Sequence, residues 1–186
     1  MALRRLIHLL FSLSLLLPLL IPLPRADLIY SLLALSACWL SSLRLREYPL
    51  LPRLSSAIRA LSSPMERGYE RCGWLGAVSG IVGVLLSYLA FGRASVFGVI
   101  SLSATDWVAS LFSGVGPKLP RSRTSLLGAV LGFFVMFLVT ALLSGPLTSL
   151  GLSLVASLVE AYGVEDNLEL PVLVSLTAWC AGVVPP

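Results

Sequence analysis

TSLLGAVLGFFVMFLVTALLSGPLTSLGLSLVASLV, residues 124–159, runs for 36 residues without a charged side chain. A helix that crosses the hydrocarbon core of a bilayer needs about 20 mainly apolar residues, with roughly 17 to 25 as the range. The run is therefore too long for one span. Ser144-Gly145-Pro146 interrupts it with a turn signal, which divides it into two helices. Further uncharged runs cover residues 6–24, 28–43, 72–92, 94–105 and 170–186. Together they predict an all-α, polytopic transmembrane helical bundle, one domain over 1–186, with about seven membrane segments. The sixth (about 147–161) and seventh (about 170–185) are short, and either is open to being a partial or re-entrant helix that lines a cavity.

Composition agrees with this class. Hydrophobic residues make up 57% of the chain and charged residues 12%, with a mean hydropathy of +0.94. A soluble domain has roughly 45 to 50% apolar and about 25% charged residues. Arg4 and Arg5 before an apolar stretch also fit a signal peptide, but Pro24-Arg25-Ala26 is a poor small-x-small cleavage site and the apolar run is long. Cys38, Cys72 and Cys180 are odd in number and lack ligand spacing, so neither a disulfide framework nor a zinc site is expected.

Charge sets the expected orientation. Arg4 and Arg5 precede the first segment; Arg44, Arg46, Arg53, Arg59, Arg67 and Arg71 lie between the second and third; Lys118, Arg121 and Arg123 lie between the fourth and fifth. These are 11 of the 13 basic residues, and only Arg25 and Arg93 fall on the other side. The positive-inside rule makes the first side cytoplasmic, with the N-terminus inside, and a plasma membrane suits so compact a chain. A basic balance that topology explains gives no reason to expect a nucleic acid partner. Nothing in the sequence specifies an oligomeric state.

The acids gather on that same side. Glu47, Glu66, Glu70, Glu160, Glu165, Asp166 and Glu169 all fall in or beside its connections, and Asp27 alone lies opposite. The ninth acid, Asp106, sits inside the fourth segment about seven residues from its end. That is about 10 Å deep at 1.5 Å per residue. An acid inside a span costs about 2.5 to 3.5 kcal/mol on insertion scales, which makes it a candidate functional residue. A protonated or arginine-paired Asp that only holds helices together is the alternative.

Three connections stand out. In 44–72, Leu51, Leu54, Ile58, Leu61 and Met65 recur at helical spacing, which reads as a basic cytoplasmic helix in the membrane interface. Ser63-Pro64-Met65-Glu66 then starts a new helix with a capping box, and Glu70 lies one turn beyond Glu66 near the membrane. Residues 113–123, SGVGPKLPRSR, form a basic Gly/Pro loop whose amides and cations suit phosphate oxygens; positive-inside bias predicts cations there as well. Residues 160–171 form an acidic loop that includes Glu160, Asp166 and Asn167. Magnesium takes oxygen ligands from one or two carboxylates plus phosphates, so an Asp-Asn turn facing a basic loop describes a site for a metal-bound nucleotide. On this reading the acids hold the metal. Gly76-x-x-x-Gly80 and Gly128-x-x-x-Gly132 are expected to let helices approach closely.

Four stretches over roughly 43–171 resemble the family of dolichol kinase, phytol kinase and the CTP-dependent diacylglycerol kinase, distant relatives of phosphatidate cytidylyltransferases. ERCGWLGA (70–77) resembles its Glu-x-x-Gly-x-x-Gly-Ala motif. TDWVASLFSGVGPKL (105–119) is similar to its Gly-Asp-x-x-Ala motif and following glycine-rich loop, with Asp106 on the motif aspartate and Ala109 on the alanine. RTSLLGAVLG (123–132) resembles its Lys-Ser-x-Glu-Gly-Ser motif, with Ser125 and Gly128 retained. VEAYGVEDNLELP (159–171) resembles its Glu…Asp-Asn-Leu-x-x-Pro motif, the most specific of the four. The chain departs from the family with Thr105 for Gly, Thr124 for Lys, Leu127 for Glu and Ala129 for Ser.

The resemblance implies a CTP-dependent kinase that phosphorylates the hydroxyl of a polyprenol or related lipid alcohol, with magnesium as cofactor and CTP as phosphate donor. Asp106 would be catalytic, by binding metal or positioning the hydroxyl. Lys118, Arg121, Arg123, Ser125 and Gly128 would bind nucleotide or phosphate; Asp166 and Asn167, with Glu160, would hold the metal; Glu70 is a further candidate. Alternative readings are CDP-lipid synthesis of the phosphatidate cytidylyltransferase kind, and a transporter or assembly protein without chemistry.

Overall fold

A computed structural model describes residues 2–20, 26–46, 75–120, 122 and 124–184. Among them the regular structure is helical: α1 (Ala2–Ser14), α2 (Leu17–Leu20), α3 (Ala26–Arg46), α4 (Leu75–Phe91), a 3-10 turn (Gly92–Ala94), α5 (Ser95–Phe112), α6 (Leu126–Ser144), α7 (Pro146–Tyr162) and α8 (Asp166–Cys180). Two stretches, Gly76–Phe112 and Leu126–Ser144, are long and apolar enough to cross a membrane. Most of the expected interfacial helix at 44–72, with its capping box and Glu70, lies outside the described residues, as do Arg121 and Arg123.

The break expected within 124–159 is present. α6 ends at Ser144, Gly145 takes a φ of +77°, and Pro146 occupies the first turn of α7. Glycine enters that left-handed region without a Cβ clash, and proline gives up an N–H that the first turn of a helix does not use. The Ser144 and Ser149 hydroxyls, 3.1 Å apart, tie the two ends of the turn together.

The N-terminal run differs from the single segment expected over 6–24. α1 stops at Ser14 and a two-residue turn precedes α2. Pro18 lacks the N–H that the Ser14 carbonyl would need for the helix to continue. The carbonyl of Leu15 in that turn instead accepts a hydrogen bond from the buried Tyr30 hydroxyl at 2.6 Å.

Helix α5 is central, packing against α1, α4, α6, α7 and α8, with most of its residues from Ser95 to Ala109 buried. Glycine contacts and aromatic pairs give the helix directions. Gly80 faces Leu102 across the 3-10 turn, so α4 and α5 are antiparallel. Gly128 lies on Ala109 and Gly132 on Thr105, so α6 runs antiparallel to α5. The Ser157 hydroxyl donates to the Ala129 carbonyl at 3.3 Å, so α7 returns. α8 leaves from Asn167, which faces Gly76 at the start of α4, and reaches Trp179, whose ring pairs with Phe91 at the end of α4. The C-terminal ends of α5 and α7 and the N-terminal ends of α4, α6 and α8 therefore share one end of the bundle.

Small polar residues fill much of the interior, and most of their hydroxyls are satisfied within their own helix; Ser95 Oγ and Thr105 Oγ1 are buried without a hydrogen-bond partner among the described residues. Ser87, Ser101, Ser103, Thr140 and Ser153 each donate to a carbonyl one turn back in their own helix at 2.7 to 2.9 Å. This local bonding lets a hydroxyl be buried among apolar neighbours. Among the described residues many large apolar side chains along the helices face outward. In α6 only Gly128, Gly132, Met136 and Thr140 are buried, while Phe134, Leu138 and Leu142 are exposed. A helix that is apolar all round yet covered on one narrow stripe has the pattern of a membrane span.

A candidate metal centre at the acidic end of the bundle

Asp106, Glu160 and Asp166 come together from three helices, each with a carboxylate oxygen within 4.8 Å of the others. Asp106 is two-thirds of the way along α5 and 6% exposed. Glu160 is in the last turn of α7; its Oε2 is buried although the residue as a whole is half-buried. Asp166 opens α8 and is half-buried, and its Oδ1 accepts the Asn167 N–H at 2.9 Å. The acidic segment expected as a loop over 160–171 is mostly helix: only residues 163–165 lie between α7 and α8. An acid in the first turn of α8 complements the positive end of that helix dipole, which favours helix at Asp166.

Electrostatics gives this cluster a requirement. Two full charges 4.8 Å apart repel by about 3.5 kcal/mol at an effective dielectric of about 20. Glu160 also sits at the negative end of the α7 dipole, which disfavours its charge further. Three ionised carboxylates this close need compensating positive charge, from side chains or a metal ion, or a shared proton. The donor set fits a hard divalent cation: around magnesium, ligand oxygens at about 2.1 Å lie roughly 3.0 to 4.2 Å apart, so oxygens within 4.8 Å need to close only slightly.

Asn167 is 5% exposed, and its amide nitrogen faces α4, 3.1 Å from where a Cβ on Gly76 would stand. Two glycines seat the α8 segment behind it. A Cβ at Gly83 would meet the Leu168 carbonyl oxygen at 2.8 Å, and one at Gly98 would collide with the Pro171 carbonyl oxygen and the Ser175 hydroxyl. The first turns of α8, which carry Asp166 and Asn167, thus lie in a cleft between α4 and α5 that only hydrogen side chains leave open.

The loop after α5 folds back over the start of α6 at this same end. The Leu126 N–H donates to the Pro117 carbonyl at 2.9 Å, the Leu119 N–H to the Thr124 carbonyl at 3.2 Å, and Lys118 bridges to Ser125 through the backbone. Lys118 is exposed on this fold. Ser125 is fully buried and caps α6: its Oγ accepts the Gly128 N–H at 3.0 Å and donates to the Phe112 carbonyl at 2.6 Å. Gly128 serves packing as well, since a Cβ there would meet the Ala109 carbonyl oxygen at 3.0 Å. Thr124, where the resembled family has Lys, is 5% exposed and leaves Lys118 as the described cation of this loop.

The acids of YGVEDNLELP (162–171) have separate fates. Asp166 enters the carboxylate cluster, and Glu165 is exposed. Glu169 turns back, its Oε1 accepting the N–H groups of Val164 and Glu165 at 3.2 Å each. Of the three acids in this stretch, Asp166 is the one that joins Asp106 and Glu160. The sequence carries a signal for the turn of Glu169: Asp166-x-x-Glu169 has the spacing of a capping box, in which an acid reaches back over the start of its helix. The tight seats at Gly83 and Gly98 carried no comparable signal. No protein-family model matches the chain, and no curated protein or solved structure matches it either.

Proposed function

We propose that the chain is a membrane-embedded phosphotransferase that moves the terminal phosphate of a nucleoside triphosphate, CTP by resemblance, to the hydroxyl of a polyprenol or related isoprenoid alcohol. The observation that carries this reading is the convergence of Asp106, Glu160 and Asp166 at the end of the bundle that also carries the Lys118 loop. Those carboxylates fall within two of the motifs that resemble the lipid-alcohol kinases. The same reading gives the chain about seven membrane segments in a plasma membrane, with the N-terminus and the acidic end cytoplasmic. The outward-facing apolar side chains and the shared location of the cluster and the basic loop support it.

Asp106, Glu160 and Asp166 would hold magnesium, with Asn167 at their edge. When bound, that ion supplies positive charge against the phosphate oxygens of the nucleotide. Lys118, with Arg121 and Arg123, neutralises the remaining phosphate charge. The lipid hydroxyl, reaching the acidic end laterally from the inner leaflet, attacks the terminal phosphorus in line with the bridging oxygen. Its proton passes to the Asp106 carboxylate as the bond to that oxygen breaks and CDP departs. Phosphoryl transfer depends mainly on positioning and charge stabilisation, so this small set of groups is sufficient.

The test is label transfer by the full-length purified protein. With magnesium and terminally labelled CTP or ATP, a panel of prenols, phytol and diacylglycerol is offered, and extracted lipid is counted. Label enters a prenol from CTP, and Asp106→Asn lowers the rate by about 100-fold or more, as loss of one preorganised electrostatic group does elsewhere. A folded Asp106→Asn protein with wild-type turnover refutes the role given to that residue.

A further inference from the structure

The three-residue connection between α7 and α8 sets the distance between two of the clustered carboxylates. Glu160 lies three residues before Gly163, and Asp166 follows Glu165 directly. The Gly163 N–H closes α7 on the Val159 carbonyl at 2.7 Å, and the N–H groups of Leu168 and Glu169 open α8 on the Glu165 carbonyl at 2.9 Å each. That leaves the Val164 and Glu165 N–H groups, and both donate to Glu169 Oε1. The other oxygen, Oε2, lies over Gly163, 2.8 Å from where a Cβ would stand, and the same Cβ would be 2.6 Å from the Val159 carbonyl oxygen. Gly163 has a φ of −60°, open to any residue, so space and not backbone conformation demands glycine. One side chain therefore clamps the whole connection, and it is outside the three-carboxylate group.

We infer that Glu169 is a positioning residue for the proposed metal centre: by accepting from Val164 and Glu165 over Gly163, it fixes the spacing of Glu160 and Asp166. The role belongs to its acceptor oxygen and not to its charge. Glutamine at 169 keeps an acceptor of the same reach, whereas alanine removes it. Alanine at Gly163 displaces the clamp from the opposite side. Residues that orient ligands from behind commonly change metal affinity by 10 to 100-fold.

The inference rests on the metal-centre reading, and the two are separated by titrating the full-length protein with Mn2+ alone, followed by electron paramagnetic resonance. Wild type binds Mn2+ and Asp106→Asn loses it; absence of binding by folded wild-type protein overturns the metal centre and this inference with it. Given wild-type binding, Glu169→Ala and Gly163→Ala each weaken Mn2+ by about 10-fold or more, and Glu169→Gln stays within about twofold. Amide exchange over residues 159–170 rises in the two alanine variants and not in Glu169→Gln, which reads the clamp independently of metal. Wild-type Mn2+ affinity in Glu169→Ala overturns the positioning role. So does a Glu169→Gln protein that binds as weakly as Glu169→Ala, because charge would then be the operative property.

Discussion

Gly83→Ala and Gly80→Ala add the same methyl group to the same helix, three residues apart, and their effects are expected to differ in sign. At Gly80 the new Cβ would sit 3.6 Å from Leu102 Cδ2, an ordinary contact with the mobile end of a side chain. Replacing a helical glycine there removes conformational entropy from the unfolded chain, which is worth up to about 1 kcal/mol. At Gly83 the new Cβ would meet backbone only: the Leu168 carbonyl oxygen at 2.8 Å, Leu168 Cα at 3.0 Å and the Asn167 carbonyl oxygen at 3.2 Å. The closest of these is about 0.6 Å short of ordinary contact, and a helix backbone cannot swing aside as a side chain does. Overpacking of that kind costs about 1 to 3 kcal/mol, which outweighs the entropic gain. For a chain of this size each kcal/mol moves the midpoint by about 2 to 4 °C. Thermal unfolding of the purified protein is therefore expected to show Gly80→Ala at or above wild type and Gly83→Ala several degrees below. Because α8 carries Asp166 and Asn167, Gly83→Ala is expected to lower Mn2+ affinity too. Equal midpoints for the two variants would refute the claim that α8 is seated against the α4 backbone.

Two further substitutions separate packing from chemistry. Ser125→Ala removes both the cap on Gly128 and the bond to Phe112, and is expected to lower stability by about 0.5 to 2 kcal/mol in denaturation experiments; Ser125→Thr is expected to recover most of it. Thr105 Oγ1 is buried without a hydrogen-bond partner among the described residues. The nearly isosteric Thr105→Val should therefore raise the unfolding midpoint, by an amount on the order of 1 kcal/mol, whereas a lower midpoint would mean that the hydroxyl is satisfied in the protein.

Local chemistry made part of this architecture readable from the sequence. Ser144-Gly145-Pro146 announces a turn because each residue type suits its own position there, and the structure has the turn. Asp106 stood out because an acid inside an apolar run is costly. The charge pattern places Asp106 near the same face as Glu160 and Asp166, although Glu160 is 54 positions further along the chain, and the motif resemblance assigns all three to one site. The rest depends on tertiary proximity: the Gly76-x-x-x-Gly80 spacing points to Gly80, where a Cβ would make an ordinary 3.6 Å contact, whereas Gly83 and Gly98, outside that pattern, take the close backbone approaches. The acidic segment reads as a loop because Asp166 and Asn167 are turn-forming residues, yet residues of these types also begin helices well, and α8 starts at Asp166. Thr105, where the resembled family has glycine, faces Gly132 across the interface, its methyl group 3.3 Å from the position a Cβ would take there.

The most direct single measurement is the identity of the nucleotide product when the purified full-length protein turns over CTP with magnesium and a prenol, with phosphatidate in a parallel reaction. CDP, formed in step with phosphorylated prenol and lost in Asp106→Asn, is the expected result. Pyrophosphate with a CDP-lipid, or no turnover by folded protein that binds CTP, would contradict the assignment as a lipid-alcohol kinase.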